Sequence, residues 1–303
     1  MGCWGGEYQF FQQTINYSPL ENELKLFSEY LKSKNTPFVY FQAPYKMDLQ
    51  DDLLPKGLYD YGNEAADYLL NGLTASGVKV LDLRDSLARD GKDIEKFFYA
   101  TDHHWTPDGA FTAYSLCMDF LKKQVDSNLD TFFANKRLWE RHEKNSWFLG
   151  SRGKRVGPYY AGTDNLIWYT SKIETNMSCE IPKYELMYQG DFADANIRET
   201  YIDDKDYYFK NAYCVYIGGD YPIVIHRNEG APNNKSVLII KDSFALPFQA
   251  FMSTEFTEVT VIDPRHYKET TIVEWCNRNK PDIVIMLINI TNIGNAVYSD
   301  LGV

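Results

Sequence analysis

The sequence predicts an α/β fold of three layers, a mainly parallel sheet between two sets of helices, carrying a β-rich insertion. Three observations predict it. Short apolar runs rich in β-branched residues alternate with segments of helical spacing. Those runs are apolar throughout rather than at every second position, as strands buried on both faces are. The alternation stops near residue 128 and resumes at residue 236. At 303 residues the chain has the length of two ordinary domains, or of one large α/β domain with an insertion. The second option fits the interrupted pattern: one domain over 1–303 with the insertion at about 145–233.

Residues 20–33 (LENELKLFSEYLKS) repeat apolar positions at helical spacing, and Asn35 supplies a stop. FVYFQAP (38–44) reads as a buried strand closed by Pro44. A second helix over 62–75 and a second strand, VKVLDLR (78–84), follow. After Asp102-His103-His104-Trp105 a helix opens with Thr106 as N-cap and Pro107 at its first position. Its spacing puts Ala110, Ala113, Tyr114, Cys117, Phe120 and Leu121 on the inner face. The region 145–233 is rich in Gly, Tyr, Asn and Asp, with β-like runs NLIWYTSKI (165–173) and YCVYIG (213–218). Then come the strand SVLIIKDS (236–243), a helix from about 245, the strand FTEVTVID (256–263), a helix near 268–279 and the strand DIVIMLI (282–288).

Composition narrows the function. Hydrophobic residues make up 44% and charged residues 24%, values of a globular chain with a sizeable core, which excludes a disordered or fibrous protein. A net charge of −11 lacks the dominant basic surface that phosphate-backbone binding needs, so no nucleic-acid partner is expected. No stretch approaches the roughly 18–20 apolar residues of a membrane span. The N-terminal MGCWGGE has neither the basic nor the apolar region of a secretory signal. The five cysteines (Cys3, Cys117, Cys179, Cys214, Cys276) form no CxxC pair, which argues against a zinc site and a disulfide framework. Cys179 with Cys214 is the one bridge left open.

In doubly wound sheets, sites lie beyond the carboxyl ends of the strands. Two groups fall there. Ser243 ends the strand VLII just before a helix, where its hydroxyl is exposed and its own N–H sits at a helix N-terminus, suited to an acyl-transfer oxyanion. Asp102-His103-His104-Trp105 lies on the loop before the Thr106-capped helix. A serine hydroxyl is a weak nucleophile until a base takes its proton, and a carboxylate commonly holds that base in one tautomer. Ser243, His104 and Asp102 supply the three types. Each also has a plainer reading: a serine there serves as an N-cap, and an Asp/His run serves loop hydrogen bonding. Ligation of a metal by Asp102, His103 and His104 lacks any further ligand at supporting spacing, so neither a metal nor another cofactor is expected.

TDHHWTPDGA (101–110) with IIKDSFA (239–245) resembles the DHHW family of bacterial proteins, similar to a branch of the SGNH-hydrolase superfamily near the alginate O-acetylation proteins. VYFQAPYK (39–46) with LLP (53–55), VKVLDLR, SWFLGSRGKRVG (146–157) and VIDPRHY (261–267) extend the resemblance over most of residues 37–290. The Asp-His element precedes the serine here, whereas most SGNH hydrolases place serine first. The resemblance implies an SGNH-hydrolase/flavodoxin-like fold with Ser243 as nucleophile, His104 as base and Asp102 as its orienter. His103 occupies the family's variable slot, Trp105 packs under the loop, and Asp242 matches the Asp-Ser step and fixes the turn. Gln42 and Lys46, at the exit of the first strand, are candidate donors to substrate or oxyanion.

Other residues depart from the family or stand outside it. Separate Gly and Asn blocks of the SGNH kind are missing, leaving a second oxyanion donor unassigned. The last strand runs into INITNIGN (288–295) without an acidic-basic pair; Asn289 and Asn292 stand in that place. Arg152, Lys154 and Arg155 form a basic cluster that reads either as a solvated loop or as a clamp on a hydroxyl-rich polymer. Tyr159, Tyr160 and Trp168 are placed to stack on sugar rings. His142, His226 and His266 are isolated and read as structural.

Three functions stand open. The first is acyl transfer, as O-acetyltransferase or O-acetylesterase, on an envelope or extracellular glycan. The resemblance implies for it an extracytoplasmic location and a membrane-bound acyl-donor partner. The second is a glycan-binding or assembly protein without chemistry, and the third a metal-dependent hydrolase. Hydrogen-bond reach among Ser243, His104 and Asp102 separates the first from the second.

Overall fold

The computed structural model describes residues 15–46, 61–88 and 97–303. Cys3 and the LLP segment at 53–55 lie outside the described residues.

The elements run α1 Ser18–Ser33, β1 Phe38–Gln42, α2 Tyr61–Ala75, β2 Lys79–Asp82, α3 Leu83–Ala88, α4 Pro107–Gln124, β3 Trp139–Phe148, α5 Ser151–Val156, α6 Pro158–Ala161 and β4 Asp164–Ser171. They continue with β5 Met177–Ile181, β6 Leu186–Gly190, α7 Phe192–Asn196, α8 Thr200–Asp203, β7 Ile223–Asn228, β8 Asn233–Lys241, α9 Ala245–Met252, β9 Phe256–Ile262, α10 Ile272–Asn279 and β10 Ile283–Ile288.

One eight-stranded sheet has the order β2-β1-β10-β8-β9-β7-β5-β6. The five strands from β2 to β9 pair in parallel, and β7, β5 and β6 extend the edge in antiparallel. Both faces are covered, and the strands show it residue by residue. Val39, Phe41, Val237, Ile239, Ile285 and Leu287 enter a core under α4 and α9. Their neighbours Phe38, Tyr40, Leu238, Ile240, Val284 and Met286 enter the opposite core with α1 and α2. That period-two division between two apolar layers is why these strands read as continuous hydrophobic runs.

Local chemistry sets the helix ends. The Thr106 hydroxyl accepts from the Gly109 N–H, and Pro107 stands in the first turn. Thr271 and Glu274 form a reciprocal capping box, so α10 starts at Ile272 rather than near 268. Asn35 leaves α1 in the left-handed conformation (φ 59°). Of the inner face expected for α4, Ala110, Ala113, Tyr114, Cys117 and Leu121 are buried and Phe120 is half-buried.

The inserted region differs from its sequence reading in three places. Its β3–β4 ribbon begins at Trp139, ahead of the expected start near 145. Only Trp139 and Phe148 of WERHEKNSWF are buried, so the strand carries no apolar alternation to betray it. YCVYIG is no strand: Ala212–Val215 is a 3₁₀ turn, and only Tyr216 forms a bridge, to Ile197. Ile217, Gly218 and Gly219 have positive φ and break the extended run. The bridge left open between Cys179 and Cys214 is not made, and both are free thiols, as are Cys117 and Cys276. Cys179 instead sits under the Arg198 guanidinium at 3.9 Å, and burial pushes its thiol up to about 11. The three antiparallel strands contribute to the main sheet, whose edge they extend beyond β9.

Candidate active site

The 99–104 loop lies beside the carboxyl end of β8 and is anchored at its base. Phe98 bridges Trp105, the Thr106 N–H donates to the Phe97 carbonyl, and the Tyr99 N–H donates to the His104 carbonyl. Three groups then fix the tip. The Lys46 ammonium donates to the carbonyls of Tyr99, Ala100 and Asp102 at 3.0, 3.0 and 3.4 Å. The Asp164 carboxylate accepts from the Ala100 and Thr101 N–H groups and from the Thr101 hydroxyl. The 150–153 backbone closes the third side: the Gly150 N–H donates to Thr101 Oγ1 at 2.8 Å, and the Arg152 and Gly153 N–H groups donate to the Thr101 carbonyl.

Asp102, His104 and Ser243 form one chain of hydrogen bonds. Asp102 Oδ1 lies 2.6 Å from His104 Nδ1, and His104 Nε2 lies 2.8 Å from Ser243 Oγ. With Nδ1–H donating to the carboxylate, Nε2 accepts from the serine hydroxyl. Asp102 is 1% exposed and His104 4%. Burial alone would raise the Asp102 pKa. The His104 bond, the two neighbouring imidazoles and the Ser151 N–H, 2.7 Å from Oδ2, outweigh it and hold the carboxyl well below the usual range.

Ser243 owes its position to Asp242. The wholly buried Asp242 carboxylate accepts from the Phe244 N–H (2.9 Å), the Asn289 N–H (2.6 Å) and Asn292 Nδ2 (2.8 Å). It ties the turn before α9 to the end of β10. Burial pushes this carboxyl up, against those bonds. Trp105 is fully buried and donates from Nε1 to the Phe244 carbonyl at 2.8 Å.

The remaining sequence candidates divide. Gln42 is wholly buried, with its amide donating to the Ala43 and Ile288 carbonyls, and does not reach a ligand surface. Lys46 meets loop carbonyls, as described. Asn289 Nδ2 donates to the Pro44 carbonyl, so it joins two strand ends. The His103 ring lies 3.8 Å from the His104 ring, with Nδ1 3.2 Å from Ser151 Oγ. Desolvation, then His104, with further positive charge from Arg152 and Lys46, push its imidazole down to about 4. Arg152 thus belongs to the electrostatic surroundings of the site. Lys154 donates to the Tyr208 and Lys210 carbonyls, whereas Arg155, Tyr159 and Tyr160 are exposed. His142 stacks on Trp168, His226 is buried in β7, and His266 is exposed.

Asp102, His103 and His104 offer ligand atoms within 4.8 Å of one another. Both His104 nitrogens and both Asp102 oxygens are already bonded, so this set makes a poor metal site. Asp220 and Asp263, grouped with His266, are neutralised by Lys241 and Arg265.

Sequence reasoning missed four supports. The Tyr213 ring stacks on His104 at 4.0 Å, and its hydroxyl donates to the Ser243 and Phe244 carbonyls. Asp164 is remote in sequence from the loop it clamps. Gly150 and Ser151 lie in the SWFLGSRGKRVG segment, where a glycine before a serine was the available signal. Buried Lys241 carries the fourth, its ion pairs with Asp220 and Asp263, two residues before the serine.

Among curated proteins none matches this sequence. Its fold is similar to that of Bacillus cereus PatB1 (TM-score 0.77, 23% identity, 94% of this chain and 93% of that one), also solved with a sulfonyl adduct. It is similar too to a DHHW family protein from Eubacterium siraeum (0.65, 18%, 95% and 88%). A third likeness is to the O-acetyltransferase domain of Pseudomonas putida AlgJ (0.52, 12%, 96% and 86%). These likenesses establish the fold. The model of the SGNH hydrolase-like domain of the acetyltransferase AlgX matches residues 11–145, which include the Asp102-His104 loop. The DHHW protein model matches residues 84–262, which hold all three members of the hydrogen-bond chain and more than half of the sequence, and the chain belongs to the DHHW family.

Proposed function

We propose that this protein is a serine-dependent O-acyltransferase acting on an envelope or extracellular glycan. The observation that carries the reading is the continuous Asp102–His104–Ser243 hydrogen-bond chain at the carboxyl end of a parallel sheet. A binding protein without chemistry has no need of a buried, ionised carboxylate aligned on an imidazole that accepts from a serine. The match of residues 11–145 to an acetyltransferase domain supports the same reading.

In the proposed cycle Ser243 Oγ attacks the carbonyl carbon of an acyl ester while His104 Nε2 takes the hydroxyl proton. Asp102 stabilises the imidazolium through Nδ1–H. The oxyanion is stabilised by the Ser243 N–H, because Asp242 already takes the next two amides: Phe244 through Oδ1 and Ala245 through its carbonyl. Collapse breaks the ester C–O bond, and His104 returns its proton to the leaving oxygen. A sugar hydroxyl, deprotonated by His104, then attacks the acyl-serine, and Ser243 recovers its proton.

We read the chain as one SGNH-type domain over 1–303 in which the inserted strands serve substrate binding. We place it outside the cytoplasm with a membrane-bound acyl donor, a reading supported by its resemblance to the alginate O-acetylation proteins. No helix among the described residues is long and apolar enough to cross a membrane. The test is release of p-nitrophenol from p-nitrophenyl acetate, with and without oligosaccharide acceptors, and mass analysis of the sugar. Acetylated sugar formed by the wild type but not by Ser243→Ala supports the transferase. Release unaffected by acceptor, with no acetylated sugar, makes the protein an esterase. Equal release by wild type and Ser243→Ala ends the catalytic reading.

A further inference from the structure

The inserted region builds a second concave surface, apart from Ser243. An open groove of about 760 Å³ runs between β4, β6 and the 197–203 segment. Trp168 and Tyr188 line it, and both rings are fixed. Trp168 lies parallel to His142 at 5.1 Å, and His142 is held by Thr170 Oγ1 at 2.8 Å. Tyr188 lies against the Arg198 guanidinium at 3.4 Å. Prearranged rings bind a flat partner without an ordering cost, and aromatic faces suit the C–H faces of sugar rings.

The charge of the groove restricts the partner. Among the described residues Arg198 is the one basic residue lining it, and it is 8% exposed. Its Nε and Nη1 donate to the carbonyls of Ile217, Ala195 and Ile197, and its Nη2 faces Cys179 Sγ at 3.9 Å. Glu199 and Asp203, by contrast, are exposed along the same wall. A uronate or phosphate polymer entering here would meet the exposed acidic side chains of Asp194, Glu199 and Asp203, and a guanidinium whose Nε and Nη1 are engaged by backbone carbonyls. Hydroxyls or amines would find acceptors.

The groove is linked to the candidate active site through two packed elements. Its α8 packs on the 212–215 turn, whose Tyr213 ring lies on His104. We propose that the groove is a subsite for an uncharged or amine-bearing stretch of glycan, held while another part of the same chain meets Ser243. This rests on the glycan acyl-transfer reading and narrows its substrate class: the polymer is not a polyuronate along this stretch.

Calorimetric titration of the Ser243→Ala protein with three hexamers tests it: glucosamine hexamer, cellohexaose and mannuronate hexamer. The expected order is glucosamine, then cellohexaose, with no binding of mannuronate. Trp168→Ala should weaken both bound sugars about tenfold. Glu199→Lys with Asp203→Lys, both on exposed positions that leave packing intact, should lower glucosamine binding more than cellohexaose binding. Mannuronate binding as tightly as glucosamine would overturn the substrate class. Sugar binding indifferent to both the Trp168 and the rim variants, or no binding at all, would overturn the subsite. Labelling of Ser243 in the wild type reports the chemistry separately. Sugar held in the groove of a protein whose Ser243 does not label supports the subsite and removes only the transfer step.

Discussion

Replacing Gly150 by alanine tests how the carboxylate is held. Gly150 has φ −71° and ψ 176°, which any residue adopts, so the substitution imposes no backbone strain of its own. The whole effect is steric. An added Cβ would stand 2.4 Å from Asp102 Cβ, 2.5 Å from the Thr101 carbonyl oxygen and 2.6 Å from Asp102 Oδ2. Ordinary contact begins near 3.4 Å, so the two segments must part by about 1 Å. None of the three neighbours is the free end of a flexible chain. That displacement breaks the Ser151 N–H bond to Asp102 Oδ2 and draws the carboxylate off His104 Nδ1. A misplacement of about 1 Å in a reacting set costs on the order of 10²-fold in rate. Overpacking of this kind costs about 1–3 kcal/mol in stability. The assay is the rate of Ser243 acylation by p-nitrophenyl acetate, read beside a denaturant melt. A folded Gly150→Ala protein that acylates at the wild-type rate would refute the argument that the 150–151 turn positions Asp102.

Three further outcomes follow from the same geometry. Asp164→Asn keeps the shape but removes the charge that accepts from Ala100, Thr101 and the Thr101 hydroxyl; it should cost about 1.5–3 kcal/mol in a urea melt and slow acylation, and an unchanged melt would mean that Lys46 and the 150–153 backbone suffice. Lys241→Met leaves the fully buried Asp263 and the partly buried Asp220 without their lysine, and should destabilise by about 3–5 kcal/mol at neutral pH, with part of the loss recovered by adding Asp220→Asn. His226 is buried beside the Gln249 side chain, whose hydrogen bond favours the protonated ring, but burial outweighs it and pushes the pKa down to about 3. The unfolded chain, with an ordinary histidine near 6.5, binds the extra proton between those values, so this residue's contribution to stability is full above about pH 6.5 and falls as pH drops toward 3. His226→Gln should therefore lose less stability than the wild type between pH 7 and pH 4, and equal losses would contradict the assignment.

The parallel core was legible because its strands are buried on both faces. Runs such as IVIMLI leave no other reading once helices flank them, and Thr106-Pro107 marks a helix start by its own chemistry. The inserted region was less legible. WERHEKNSWF lies in a ribbon with only its end residues buried, and its charged middle has no period to detect. YCVYIG is apolar because Tyr213, Val215, Tyr216 and Ile217 enter the core from a turn, and apolar content alone does not distinguish a turn from a strand. In the site, Ser243, His104 and Asp102 could be named from residue type, element ends and resemblance. Their supports could not, because Asp164, Gly150 and Tyr213 act through contacts set only by the fold. Lys46 and Gln42 were placed at the right strand exit, but their polar groups meet backbone carbonyls, which sequence position does not reveal.

In the proposed cycle everything depends on His104 activating Ser243. Its most direct test is reaction of the folded protein with a sulfonyl fluoride, peptide mapping of the adduct, and comparison with His104→Ala and Asp102→Asn at equal stability. A single adduct on Ser243 is expected, formed at least about 10³-fold more slowly in both variants. An adduct elsewhere, or one on Ser243 at the same rate in all three proteins, would contradict it.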